Sequence, residues 1–165
     1  MKQYRLFLAL IFVLMVNAIY AQQATTFILM RHAEKVADGT KDPVLTPEGQ
    51  ARAELLKDML ASQDVKAIYS TPYKRTRLTV EPLAQKKSLD IQGYEPFTKG
   101  FVEELFGKYA GGTVVISGHS NTIPMLVNEL IGTDKFEQLT EDDYNDLFIV
   151  TVMKVGEGKE VVINY

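Results

Sequence analysis

Short apolar runs of strand length alternate with amphipathic stretches of helix length along most of this chain, and the links between them are short. That alternation constrains the fold more than any other feature. A strand followed by a helix followed by a strand is the unit of a parallel sheet, so the pattern predicts an α/β fold. Thr25–Met30 reads as a buried strand and Ala33–Leu45, with Gly39 and Pro43, as a loop. Thr46-Pro47-Glu48 is a helix start: a capping hydroxyl, a proline at the first helical position, then an acid at the positive helix end. Ala51, Leu55, Leu56, Met59 and Leu60 supply that helix's expected apolar face. Val65–Tyr69 is a second strand. Pro72 opens a second helix to about Lys86, which Pro82 is expected to kink or end early. Ile91–Tyr94 reads as a short strand, Thr98–Tyr109 as a helix broken by Gly111-Gly112, and Thr113–Ser117 as the fourth strand. Asn121–Ile131 is a helix that tolerates Pro124 in its first turn. Leu147–Val155 and Glu160–Asn164 read as a hairpin around Gly156-Glu157-Gly158. The expected architecture is a three-layer sandwich with a mostly parallel central sheet flanked by helices.

The first 21 residues follow a different logic. Lys2 and Arg5 precede an unbroken apolar run of 11 residues, Leu6–Val16, and Asn17-Ala18-Ile19-Tyr20-Ala21 follows. This is the layout of a secretory signal peptide, with a core too short for a membrane span. The expected organisation is therefore a signal peptide over 1–21 and one domain over 22–165. The protein is expected to be exported, periplasmic or secreted, without stable membrane association after cleavage. Removal of the leader leaves 16 basic against 21 acidic side chains, a net charge of −5. That balance argues against a general nucleic-acid or anionic-membrane binder. There is no cysteine, which excludes disulfides, thiolate catalysis and cysteine-ligated metals.

The two histidines of the chain each close an apolar run, in Arg31-His32-Ala33-Glu34 and in Ser117-Gly118-His119-Ser120-Asn121-Thr122. Parallel strands would deliver both to one sheet edge, where open α/β sheets bind ligands. Arg31 provides a fork for two phosphate oxygens, and a neutral imidazole beside it can attack phosphorus. Ser70-Thr71-Pro72-Tyr73-Lys74-Arg75-Thr76-Arg77-Leu78-Thr79 opens the second helix, whose free N–H groups favour an anion. Arg75 lies about one turn from that start, whereas Lys74, Arg77 and Lys86 are well explained as a solvated face. Gly118 permits close backbone approach, Ser120 or Asn121 is expected to cap the next helix, and His119 could carry a proton beside phosphate. Each segment alone also has an ordinary reading: a partly buried histidine beside an exposed arginine, a basic solvated helix face, and a strand-to-helix turn. Together they place several cationic or potentially cationic groups on one side.

These segments resemble the signature of the histidine phosphatase superfamily, the phosphoglycerate-mutase-like enzymes, and specifically a small exported member of branch 1. Arg31-His32-Ala33 is similar to the family's Arg-His-Gly or Arg-His-Ala. Ser70, Pro72, Arg75, Thr76 and Thr79 match Ser-x-Pro-x-x-Arg-[Ala/Thr]-x-x-Thr, and Gly118-His119-Ser120 matches Gly-His-[Gly/Ala/Ser]. Leu45-Thr46-Pro47-Glu48-Gly49 is similar to Leu-Thr-x-x-Gly. The resemblance implies a phosphoglycerate-mutase-like fold and a phosphatase that hydrolyses phosphomonoesters or phosphoramidates through a phosphohistidine on His32. It implies that Arg31, Arg75 and His119 hold the phosphoryl group and that Asn121 contacts it or the adjacent substrate group. It implies no metal and no cofactor. The expected partner is a phosphorylated small molecule or phosphoprotein. The Leu-Asn-Glu segment that carries the acid in mutase-like members is missing. Glu95 in Tyr94-Glu95-Pro96 is the first candidate for the proton donor, with Glu103, Glu104 and Glu34 behind it. Three rivals follow from the same residues: a metal-dependent hydrolase using His32, Glu34 and His119, a phospho-ligand binding module without turnover, and a serine hydrolase built on Ser120. The last lacks a histidine after the serine.

Overall fold

The computed structural model describes residues 24–165; the proposed leader lies outside the described residues. The chain forms β1 (Thr25–Arg31), α1 (Pro47–Met59), β2 (Val65–Ser70), α2 (Lys74–Lys87), β3 (Ile91–Gly93), α3 (Phe101–Lys108), β4 (Thr113–Gly118), α4 (Thr122–Ile131), β5 (Asp146–Val152) and β6 (Lys159–Asn164). One six-stranded sheet has the order β3-β2-β4-β1-β5-β6. β3, β2, β4 and β1 run parallel, while β5 is antiparallel to β1 and β6 to β5. The alternation of helix and strand patterns is thus realised as a mostly parallel sheet with an antiparallel hairpin at one edge. Among the described residues no helix is long and apolar enough to cross a membrane.

Two apolar layers sandwich the sheet because strand side chains alternate faces. Phe27 and Leu29 of β1 join Val114 and Ile116 of β4 beneath Val102, Leu105, Ile123 and Leu130 from α3 and α4. Ile28 and Met30 point the other way, onto Leu56 and Leu60, with Val80 and Leu83 of α2. Strands covered on both faces carry continuous apolar runs, as Phe27–Met30 of β1 and Val114–Ile116 of β4 do.

Three local expectations are corrected. The second helix begins at Lys74 rather than Pro72 and runs through Pro82 to Lys87. Pro72 is exposed in the turn, where Tyr73 N–H bonds the Thr71 carbonyl. On α1, Ala51 and Leu55 face outward, Leu55 being 45% exposed, and the buried stripe is Gly49, Ala53 and Leu56. Gly49 sets that rotation: a Cβ there would lie 2.3 Å from the Glu34 carbonyl oxygen, so the helix packs on the loop after His32 through bare backbone. Thr46 does cap α1, accepting from Gly49 N–H at 3.1 Å. Neither Ser120 nor Asn121 caps α4 through its side chain. Asn121 occupies the cap position without a side-chain bond, and Thr122 Oγ1 instead accepts from His119 N–H at 2.9 Å.

Candidate active site

The parallel register sets Arg31 beside Gly118, and His32 N–H continues the ladder to the Gly118 carbonyl at 2.9 Å. Each following residue is a histidine, so two imidazoles 87 positions apart in sequence emerge side by side. Their ring centroids are 5.7 Å apart, edge to face. Gly118 has no room for a side chain, since a Cβ would sit 2.7 Å from the Tyr94 hydroxyl and 2.8 Å from Thr122 Oγ1.

His32 is 3% exposed, and its Nδ1 lies 2.8 Å from the Ala33 carbonyl. A carbonyl only accepts, so Nδ1 carries the hydrogen, and in the neutral ring Nε2 holds the lone pair. Burial, against the opposing pull of the Ala33 carbonyl and helped by the positive fields of Arg31, Arg75 and His119, takes the His32 pKa down to about 3. At neutral pH this imidazole is uncharged, with one nitrogen lone pair available.

The tautomer of His119 follows from a relay of hydroxyls. Thr76 Oγ1 has two carbonyl acceptors, Thr71 at 3.0 Å and Tyr73 at 2.9 Å, which take its hydrogen. Thr71 Oγ1 therefore donates to Thr76 Oγ1 at 2.9 Å, and accepts from His119 Nε2–H at 2.9 Å. Nδ1 of His119 is left as the remaining nitrogen. Burial, with Arg75 and Arg31, pulls the His119 pKa down to about 4. A phosphate dianion beside it would act in the opposite sense and favour its charged form. The Tyr73 ring packs edge-on against His119 at 5.2 Å.

The two arginines are positioned differently. Arg31 is 2% exposed, and its Nη1 donates to the carbonyls of Thr140 (2.6 Å), Glu141 (3.0 Å) and Asp143 (3.1 Å). Its guanidinium lies 4.2 Å from the Tyr144 ring centroid. Arg75 projects from the first turn of α2, with its guanidinium 4.4 Å from the Tyr73 centroid and Asp42 4.0 Å from Nη1. Both Nε–H groups are buried without a partner among the described residues. Thr79 fastens this helix to the loop after His32: Ala33 N–H donates to its Oγ1 at 2.9 Å, and its hydroxyl donates to the Arg75 carbonyl at 2.8 Å.

Arg31, His32, Arg75, His119 and Asn121 line one open cleft of about 540 Å³, and so does Glu95. The other carboxylates named from the sequence do not reach it. Glu34 turns away and pairs with Arg52, whose Nη2 donates at 2.6 Å. That pair holds its carboxyl below the usual carboxylate range. The expected alternative of a metal held by His32, Glu34 and His119 is therefore corrected, because the carboxylate belongs to a guanidinium. Among the described residues no group of three or more His, Asp or Glu side chains could hold a metal ion. Glu103 and Glu104 are exposed on α3, and Glu103 lies against Glu129 instead. Ser120 lines the cleft beside His119, and the hydrogen bonds of the two imidazoles go to Ala33 and Thr71 instead. Sequence reasoning assigned no role to Thr71, Tyr73, Phe97, Glu141 or Tyr144, all of which line the cleft or touch its side chains. Thr71 and Tyr73 were in plain view between two singled-out residues. Glu141 and Tyr144 lie more than 100 positions from Arg31 in a stretch with no periodic signal.

The sequence model of the histidine phosphatase superfamily (branch 1) matches residues 27–97. Over those residues the chain is similar to that superfamily. A stretch of 70 residues is 39% identical to phosphoserine phosphatase 1 of Hydrogenobacter thermophilus, covering 39% of this chain and 33% of that protein. The chain thus matches about a third of the length of that relative. The solved structure of the protein histidine phosphatase SixA complexed with tungstate superposes with a TM-score of 0.69 at 18% identity, over 84% of this chain and 96% of that one. Phosphoglycerate mutase from Bacillus anthracis superposes with a TM-score of 0.66 at 13% identity, over 88% and 94%. At these identities the superpositions speak for the phosphoglycerate-mutase-like fold, and they extend it past the segment matched by the family model to the strand that carries His119.

Proposed function

We infer that this protein is a histidine phosphatase, metal-independent, that forms a phosphohistidine on His32. One observation carries the reading: a neutral imidazole with its Nδ1 hydrogen committed to Ala33 and its Nε2 lone pair available, in a cleft also lined by Arg31, Arg75 and His119. The phosphoryl group of a monoester or phosphoramidate is held by the unspent donors of the two guanidinium groups, which match phosphate oxygens geometrically. Nε2 of His32 forms a bond to phosphorus as the bond to the leaving atom breaks. Catalysis here is chiefly positioning and stabilisation of charge on the transferring oxygens. His119, protonated in the field of the bound dianion, adds a donor to that set. The leaving atom takes a proton from Glu95 or from water. Water then attacks the phosphohistidine, releasing inorganic phosphate and restoring neutral His32.

The similarity to phosphoserine phosphatase 1 and to protein histidine phosphatase SixA supports substrates bearing a terminal phosphoryl group, on a small molecule or on a protein. Asn121 is taken to contact the group next to that phosphoryl, a reading supported by its exposed position in the lining of the same cleft. Export is part of the proposal and rests on the basic start and apolar run of residues 2–16. Fractionation of cells expressing the full chain tests it, with recovery of an uncleaved form in the cytosol as the contrary result. Hydrolysis of an aryl phosphate tests the activity and separates it from a binding module. Wild-type protein turns over in the presence of a chelator, and His32→Ala does not while keeping its melting temperature within a few degrees. Equal turnover by that variant would remove the assignment.

A further inference from the structure

Arg31 has to bind the phosphoryl group, yet most of its hydrogens are already engaged. Nη1 has two hydrogens, and three carbonyls of the 140–143 turn surround it. What remains is the edge formed by Nη2 and Nε, and Nη2 faces a carboxylate: Glu141 Oε2 stands 3.4 Å away. The two ends of this contact differ sharply. The Arg31 side chain is 3% exposed and anchored, whereas the Glu141 side chain is 77% exposed. Glu141 cannot drift far, because its own carbonyl is bound to the same guanidinium at 3.0 Å. The turn is braced in addition by Asp143, whose Oδ2 accepts from Thr140 N–H at 3.1 Å and from the Thr140 hydroxyl at 2.8 Å. Asp42 bears on Arg75 at 4.0 Å, but its side chain also accepts from Lys74 N–H and does not line the cleft. Glu141 does line it.

We propose that Glu141 is an intramolecular competitor for the phosphoryl group, its carboxylate holding the Arg31 edge in the empty site and giving it up when phosphate binds. A carboxylate and a phosphoryl dianion cannot share one guanidinium edge without placing like charges in contact. Exchange is easy because an exposed side chain needs only a change of rotamer, while Arg31 stays aimed. The same exchange in reverse helps eject product phosphate, so Glu141 sets the affinity of the site for inorganic phosphate. The inference rests on the phosphatase reading for its purpose, but its primary test reads phosphate binding.

Inorganic phosphate is titrated calorimetrically into wild type, Glu141→Gln, Arg31→Ala and the double variant. The glutamine keeps the length and loses the charge. Expected is a several-fold to tenfold tighter phosphate affinity in Glu141→Gln, and no comparable gain when the same change is made in the Arg31→Ala background. Product inhibition of aryl phosphate hydrolysis tightens in parallel. An unchanged or weakened affinity in Glu141→Gln overturns the proposal, and so does an equal gain in both backgrounds, which marks a general charge effect. Binding and turnover by wild type with an indifferent Glu141→Gln defeats this inference alone. Failure of both wild type and Glu141→Gln to bind phosphate defeats the phosphatase reading with it.

Discussion

An imidazole surrounded by cations loses basicity, and here that loss is useful. His32 is kept neutral by burial and by Arg31, Arg75 and His119, so in the proposed mechanism it meets phosphorus as a lone pair and not as an acid. The chain has two histidines, which makes the titration readable. In NMR spectra of the ligand-free protein both rings should titrate well below the ordinary 6.5, near 3 for His32 and near 4 for His119. A midpoint near 6.5 for either would contradict the described electrostatics. The sign for stability follows. As pH falls through 6.5 the unfolded chain takes up protons that the folded site refuses, so stability is full above 6.5 and declines down to about 3–4. Melting temperature should drop over that interval, and less steeply in His119→Ala. Arg75→Ala should cost on the order of 3–4 kcal/mol of transition-state stabilisation, read as kcat/KM on an aryl phosphate. A loss under threefold would take Arg75 out of the phosphoryl site. At this scale His32, His119, Arg31 and Arg75 were legible because each ends or follows a strand or opens a helix. Glu141 and Tyr144 were not, because their approach to Arg31 depends on a turn joined to it by carbonyls, and carbonyls carry no sequence signal.

Elements position the site through contacts as short as backbone allows. Gly49 of α1 lies on the Glu34 backbone, two residues past His32, and fixes which face of the helix is buried. Gly49→Ala should therefore destabilise by about 1–3 kcal/mol, the usual cost of overpacking, and should lower activity because the nucleophile loop must shift. A melting temperature within a degree of wild type would show that the helix can back away freely. The helix boundaries illustrate what local pattern resolves. Thr46-Pro47-Glu48 marked the start of α1 correctly, since capping is a local interaction. The apolar face was misjudged because Ala51 and Leu55 continue a helical period as well as Ala53 and Leu56 do, and only the partner surface chooses between them. Pro82 was expected to disturb α2 but lies within it. Thr79, matched as a family position, ties α2 to the loop after His32, and Thr76, matched likewise, bonds the Thr71 hydroxyl that in turn meets His119.

For the molecule as a whole, the order β3-β2-β4-β1-β5-β6 puts the carboxyl ends of β2, β4 and β1 next to one another. That adjacency gathers Thr71, His119 and His32 from three distant parts of the chain. The alternating pattern made the fold class and parallel sheet legible, but not the strand order, since no local signal states which strands are neighbours. The central claim is that one histidine alone receives the phosphoryl group. Its most direct test is rapid quenching of the protein during turnover of a phosphomonoester, followed by peptide mapping of acid-labile, alkali-stable phosphate. The account predicts that label on the peptide containing His32, lost in His32→Ala and retained in Glu95→Gln. Label on the peptide containing His119, or sustained turnover with no phosphohistidine at all, would contradict it.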